Sequence, residues 1–270
     1  MRRTHSEQLL LILGLVAIAG LIAPLIGLLL ELDPATLIEQ LARPEIASAL
    51  GLSLVVSTAA VCIALFFGLP LAYLLARVDL PGKGLLRALV ALPMVLPPVV
   101  GGLALLVTFG RRGLFGGLLQ AIGVQLPFSS AAAIVAVTFV CAPFLILSLE
   151  AGFLAIDPRL EATAATLGAG RLRVLWTITL PLLRPALASG LALAWARALG
   201  EFGATITFAG NLEGNTRTMP LAIYTSLQVD PPAAIALGIL LLALALVALI
   251  SLRGRLGLRA APSSVARGHT

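Results

Sequence analysis

Uncharged apolar stretches of about twenty residues recur along the chain, separated by shorter segments that hold nearly all of its charge. They run from Leu9 to Leu30, Ala47 to Ala76, Ala88 to Gly110, Ala131 to Leu149, Leu187 to Ala209 and Pro231 to Leu252, the fifth interrupted by Arg197 and Glu201. A helix needs about 20 apolar residues to cross about 30 Å of hydrocarbon. Lipid offers the backbone no hydrogen-bond partner, so such a stretch closes its own bonds as a helix. The pattern predicts an all-α integral membrane protein with six transmembrane helices. The first stretch, 22 residues without a charge, exceeds a signal-peptide core, and Glu31-Leu32-Asp33 offers no small-residue cleavage site. It is expected to stay as an anchor.

Composition agrees: 60% of the residues are hydrophobic and 11% charged, with a mean hydropathy of +1.08, far outside the soluble range. The expectation is one transmembrane domain over residues 1–270, with a core at 47–252, a cytoplasmic loop at 150–185 and a peripheral first span at 9–30. Orientation follows from Lys and Arg. With the N-terminus inside, cytoplasmic segments hold 13 of the 18, including Arg2, Arg3, Arg77, Lys83, Arg87 and Arg184. Outside lie Arg43, Arg111, Arg112 and Arg217. Retention of positive charge on the cytoplasmic side predicts both termini inside. The net charge of +6 is the same signal and calls for no nucleic-acid partner.

The residues of common catalytic sites do not assemble. Cys62 and Cys141 fall within spans, where a thiol packs as a small apolar group. His5 and His269 stand at opposite termini, too far apart in sequence for a metal-binding pair. Pro81-Gly82-Lys83-Gly84 lacks the upstream glycine and following Ser or Thr of a phosphate-binding loop. Ser189-Gly190 has no histidine available as base. No enzyme and no cofactor are expected in this chain.

The longest cytoplasmic loop holds Leu160-Glu161-Ala162-Thr163-Ala164-Ala165-Thr166-Leu167-Gly168. Asp157 as N-cap, Pro158 at the first turn and Gly168 as terminator predict a helix of about three turns. Small side chains on all its faces let another surface approach closely. Composition alone leaves docking and a plain connector level.

The segment from Glu161 to Pro181 resembles the EAA loop of binding-protein-dependent ABC transporter permeases. Gly168, Ile178, Leu180 and Pro181 fall at the family spacing, and the three leading positions are Ala162, Thr163 and Ala164, with the acid Glu161 one residue before them. The resemblance covers roughly Ala47 to Leu252 and implies the MetI-like permease fold of a bacterial or archaeal cell inner membrane. It further implies a homodimer, two cytoplasmic ATP-binding cassette subunits that dock on this loop, and an extracytoplasmic binding protein. The coupling residues would be Glu161, Ala162, Thr163, Ala164, Gly168, Ile178, Leu180 and Pro181. The stretches Ala91-Leu92-Pro93 to Gly101, Leu199-Gly200-Glu201-Phe202-Gly203-Ala204-Thr205 and Thr218-Met219-Pro220-Leu221 resemble molybdate permease subunits. The implied cargo is molybdate, or tungstate of nearly equal size and charge, with sulfate and thiosulfate permeases as near relatives.

A dianion crossing hydrocarbon needs donors that bind weakly enough to release it. The spans accordingly lack cationic clusters, and Thr205, Thr207 and Asn211 are candidates to line the path, with Thr216 and Thr218 nearby; each serves equally well as an interhelical or turn hydrogen bond. Arg197 and Glu201, four apart, share a helical face where they offset a cost of about 2.5–3.5 kcal/mol per unpaired charge at mid-membrane. They are read as an ion pair, with a gate or latch as the functional alternative. Prolines at Pro24, Pro70, Pro93, Pro97, Pro98, Pro143 and Pro181 are expected to kink helices. A reading of another class, a self-contained secondary transporter or membrane scaffold, predicts inverted repeats, and none is visible.

Overall fold

The computed structural model describes residues 5–255; Arg2, Arg3 and His269, and with them Arg259 and Arg267 of the cytoplasmic charge, lie outside the described residues. Within them the secondary structure is helical throughout. In chain order the helices are α1 (His5–Leu30), α2 (Pro34–Ala42), α3 (Pro44–Arg77), α4 (Lys83–Val95), α5 (Pro98–Phe109), α6 (Gly116–Ala121) and α7 (Ser130–Ala155). They continue with α8 (Pro158–Thr166), α9 (Arg171–Val174), a π-turn (Leu175–Thr179), α10 (Leu180–Leu199), α11 (Gly203–Phe208), α12 (Met219–Val229) and α13 (Pro231–Arg255).

Five of these stretches are long and apolar enough to span a bilayer: α1, α3, α7, the continuous helix Arg171–Leu199, and α13. The third expected span is broken. The apolar run from Ala88 to Gly110 forms α4 and α5, which meet at an angle of 113°. Pro97 and Pro98 are the physical cause, since neither can donate a backbone hydrogen bond and each keeps the residue before it extended. Leu96 has ψ 133° and Pro97 ψ 130°.

The fifth span is displaced from its expected position. It does not run from Leu187 to Ala209; the helix extends from Arg171 through the π-turn to Leu199, the chain breaks at Gly200, and Gly203–Phe208 is a separate short helix. Arg197 therefore lies in the last turn of α10, and Glu201 follows its end. The expected outer loops also contain helices. α2 is capped by Asp33, whose carboxylate accepts from the Thr36 hydroxyl at 2.8 Å and from the Ala35 amide at 3.1 Å; these bonds, the Thr36 one foremost, hold it below the ordinary carboxylate pKa.

The core is the packing of α3 along α7 and of α7 along α10. Small side chains make that approach close: Ala60, Ala64, Ala132, Ala133 and Ala136 are all buried there, around Leu145, Leu149 and Phe153. Helices without a hydrophobic drive to associate in lipid gain from such close van der Waals contact. A second, outer cluster joins Ile46 and Ala49 of α3, Met219 and Ala222 of α12 and Leu237 of α13. There Ser53 accepts a hydrogen bond from the Met219 amide at 2.7 Å, which satisfies one of the first donors of α12 inside the protein. α1 stands to the side against α13, its apolar residues exposed along its length, as suits a helix bathed in hydrocarbon.

Candidate functional site

The loop between α7 and α10 is shorter than expected, because α7 runs on to Ala155 and the next helical segment begins at Arg171. α8 fills most of it. The Asp157 carboxylate accepts from the Arg159 amide at 2.9 Å, and Pro158 occupies the first turn, where a missing N–H costs nothing. The helix ends in a Schellman arrangement: the Gly168 amide donates to Ala165 at 3.0 Å and the Ala169 amide to Ala164 at 3.0 Å. Gly168 takes φ +82°, the left-handed conformation that a Cβ would oppose.

The eight positions singled out in this loop divide by exposure. Ala162, Thr163 and Gly168 are exposed, with Ala165, Thr166 and Leu167 beside them, and Ala164, Ile178, Leu180 and Pro181 are half-buried. Glu161 faces its own subunit. Its Oε1 accepts a hydrogen bond from the Thr179 hydroxyl at 2.8 Å and lies 3.9 Å from Nη2 of Arg77. Arg77, the last residue of α3, also donates from Nη2 to the Ile156 carbonyl at 2.9 Å, at the junction of α7 and α8. Beside it Arg87 of α4 pairs with the buried Glu150 of α7 and reaches the Leu75 carbonyl at 3.3 Å. A cavity of about 790 Å³ opens next to this cluster, between Tyr73, Phe153, Glu161, Ala165, Arg171 and Thr179.

Arg77, Arg87, Glu150 and Thr179 are the residues that sequence reasoning left out of the site. Arg77 and Arg87 entered only as topology charges. The available signal was Glu150, an acid ending an apolar span with no basic residue within a helical turn of it, which therefore needs a partner from elsewhere in the chain.

At the other end of α10 the expected ion pair is formed. Arg197 Nη2 lies 2.6 Å from Oε2 of Glu201, and the other carboxylate oxygen accepts from the Ala204 amide at 2.8 Å. Glu201 is 2% exposed. Its side chain therefore serves two ends at once, pairing a cation in the last turn of α10 and satisfying an orphan amide in the first turn of α11.

The threonines and Asn211 do not form one group. Thr207 donates back to the Gly203 carbonyl at 2.8 Å, Asn211 bridges Thr225 and Arg217 at 3.0 Å each, and Thr216 accepts from the Leu212 amide at 2.8 Å. Thr205 and Thr218 are buried with hydroxyls that lack a hydrogen-bond partner among the described residues. α11 itself is pressed on α5: a Cβ added at Gly102 would lie 2.8 Å from the Ala204 carbonyl oxygen and 2.7 Å from Thr207 Cβ.

Comparison with known proteins gives consistent results. The chain is 44% identical over 242 residues to the molybdenum transport system permease protein ModB of Mycobacterium tuberculosis, covering 88% of this chain and 92% of that one. It is 40% identical over 213 residues to the molybdate/tungstate transport system permease protein WtpB of Thermococcus kodakarensis, covering 77% and 80%. A crystal structure of a bacterial ABC transporter that imports the acidic polysaccharide alginate superposes with a TM-score of 0.73 at 19% identity, over 93% of this chain and 96% of that one. That likeness establishes the ABC permease fold. Residues 64–254 match the model of the binding-protein-dependent transport system inner membrane components, and the chain belongs to that family of multi-pass membrane permeases.

Proposed function

We propose that this chain is the membrane-spanning subunit of an ATP-driven importer for a tetrahedral oxyanion, molybdate, with tungstate accepted as a close mimic. The observation that carries this reading is the 44% identity extending over nearly the whole of a molybdenum permease, joined by the relative that handles both oxyanions. Two copies of the chain flank the path, and the whole sequence forms one transmembrane domain. Hydrolysis of ATP occurs on two separate cytoplasmic subunits, each seated on α8, and a binding protein on the outer side delivers the anion.

The physical chemistry supports each part. α8 is short, exposed and lined with Ala162, Thr163 and Ala165, so a partner can come close to its backbone without displacing long side chains. Arginines 77, 87, 159, 171, 173 and 184 gather at this end of the bundle, which marks it as cytoplasmic. The path candidates Thr205, Thr207 and Asn211 are neutral donors, Asn211 with the Arg217 guanidinium behind it, and a dianion meeting neutral donors is not trapped. Thr205 and Thr218 are 0% and 4% exposed, with hydroxyls that lack a partner among the described residues, so in this conformation they are closed off and would meet an anion only when the helices around them part.

The test is uptake of labelled molybdate by proteoliposomes that contain the permease, its ATPase and the binding protein. Uptake that needs ATP, falls with added tungstate and survives a hundredfold excess of sulfate is the expected result. Equal competition by sulfate would move the cargo to the sulfate class. Uptake by the chain alone, without ATPase or ATP, would refute the importer reading and favour a self-contained carrier.

A further inference from the structure

We propose that Arg77, Glu161 and Thr179 form a clasp that carries the movement of α8 into α3 and α10, which makes them positioning residues of the transport cycle. The proposal rests on the importer reading, in which α8 meets the ATPase, and it concerns what happens behind that contact.

Three observations point to it. First, the one acid of α8 turns away from the surface a partner would meet: Glu161 is half-buried against its own subunit, while Ala162, Thr163, Ala165 and Thr166 face out. Secondly, the chain adopts a π-turn at Leu175–Thr179, and Thr179, its last residue, is 2% exposed with its hydroxyl 2.8 Å from Glu161. π-turns are rare and concentrate at functional positions. Here the turn delivers a donor to the carboxylate of a different helix.

Thirdly, Arg77 is under-satisfied. Its side chain is 12% exposed, its Nε is buried without a partner among the described residues, and its approach to Glu161 is 3.9 Å. A buried donor left unmade is costly, and a guanidinium facing a carboxylate gains most from a forked pair at about 2.7–2.9 Å. A displacement of α8 toward α3 of about 1 Å closes that gap. The arrangement seen is the looser of two, and docking or release of the ATPase on the outer face of α8 selects between them. Because the same carboxylate holds Thr179, closure on α3 also draws on the start of α10. Two spans then respond to one contact.

The experiment uses the permease assembled with its ATPase in proteoliposomes. Glu161→Gln, Arg77→Gln and Thr179→Val are each expected to lower uptake per ATP hydrolysed on the order of tenfold, within the usual range of coupling between sites. Thr179→Ser, which keeps the hydroxyl, should match wild type. The exchange Arg77→Glu with Glu161→Arg should recover more than either glutamine variant. Copurified ATPase measured on every variant separates loss of the clasp from loss of assembly.

A second readout does not depend on which ion is carried. Spin labels at Leu74→Cys and Leu160→Cys, the latter on α8 but outside the small-residue face offered to the ATPase, with Cys62→Ser to remove the exposed thiol, report the distance between α3 and α8. It should shorten between the nucleotide-free and ATP-bound complex, and Glu161→Gln should abolish that change. A separation indifferent to nucleotide, or glutamine variants with wild-type uptake per ATP, overturns the clasp. Wild-type complexes that show the distance change yet take up no molybdate would count against the cargo assignment and leave the clasp standing.

Discussion

Glu201→Gln isolates the charge of the ion pair that joins the end of α10 to the start of α11. The carboxylate is buried, with Arg197 at 2.6 Å on one oxygen and the Ala204 amide at 2.8 Å on the other. Glutamine has the same length and keeps an oxygen for the Ala204 N–H, so the cap on α11 survives and the perturbation is one lost charge. The guanidinium of Arg197, 29% exposed, is then left without its counter-charge. Stranding one member of a fully buried pair costs about 3–5 kcal/mol, whereas an exposed pair contributes about 0–1 kcal/mol. With its acid at 1% exposure and its base at 29%, this pair lies nearer the first limit, and a loss of about 2–4 kcal/mol is expected. Coulomb attraction of about 4 kcal/mol, for charge centres about 4 Å apart at an effective dielectric of about 20, falls in the same range. Adding Arg197→Met removes the stranded cation and should restore more than half of the loss, since pairs in direct contact are strongly non-additive. The assay is unfolding of the purified permease in one fixed detergent for the wild type, both single variants and the double. A loss under about 0.5 kcal/mol for Glu201→Gln, or a double variant that is simply the sum of the singles, would refute the reasoning.

Three further outcomes follow from the geometry. Gly102→Ala places a Cβ 2.8 Å from the Ala204 carbonyl oxygen and 3.0 Å from its Cα, so α5 and α11 must part, at a cost of about 1–3 kcal/mol in the same unfolding assay; Gly117→Ala, with open space around it, should stay within about 0.5 kcal/mol of wild type. Reporter fusions after Arg112 and after Arg253 should report opposite sides of the membrane, and the same side for both would end the six-span topology. Thr163→Arg, on the exposed face of α8, should insert and express normally while losing copurified ATPase; normal retention with normal uptake would reduce α8 to a connector.

The sequence is most legible where the controlling physics is local or where the bilayer imposes it. Asp157, Pro158 and Gly168 announce α8 because a cap, a first-turn proline and a left-handed terminator act within one helix. Hydropathy announces the spans because lipid demands about twenty apolar residues. It fails on the run from Ala88 to Gly110, since a backbone can turn through 113° at Pro97-Pro98 without a polar residue to mark the bend. It also misplaces the fifth span. Arg171, Arg173 and Arg184 end the apolar count, yet the helix passes straight through them, because long basic side chains reach the interface while their stems stay with the helix. An apolar run marks where hydrocarbon lies, which is not where a helix starts. The clasp is illegible for another reason: Arg77 and Glu161 are 84 residues apart in sequence, and no periodicity connects the end of one span to a loop beyond two others.

Placing Arg197 and Glu201 at the end of α10 changes what their charge means. At mid-membrane they would be an expensive pair requiring a functional excuse; in the last turn of a helix the cost falls with depth, and a cation there also meets the negative end of the helix dipole. Toward the opposite end of the same helix stands Thr179, the last residue of the π-turn, tied to Glu161. From Thr179 to Arg197 the helix rises about 27 Å at 1.5 Å per residue, so one continuous element has a polar anchor at each end, α8 holding one and α11 the other. α11 in turn bears on α5 at Gly102, which meets the Ala204 backbone and Thr207 Cβ directly. Between the anchors, Leu183, Ala188, Ala192 and Ala194 are buried against the core, packed closely enough that they move with their neighbours. A displacement of α8 therefore has a connected route to the outer helices through Thr179, α10 and Glu201, and the route needs no ion at the centre of the bilayer.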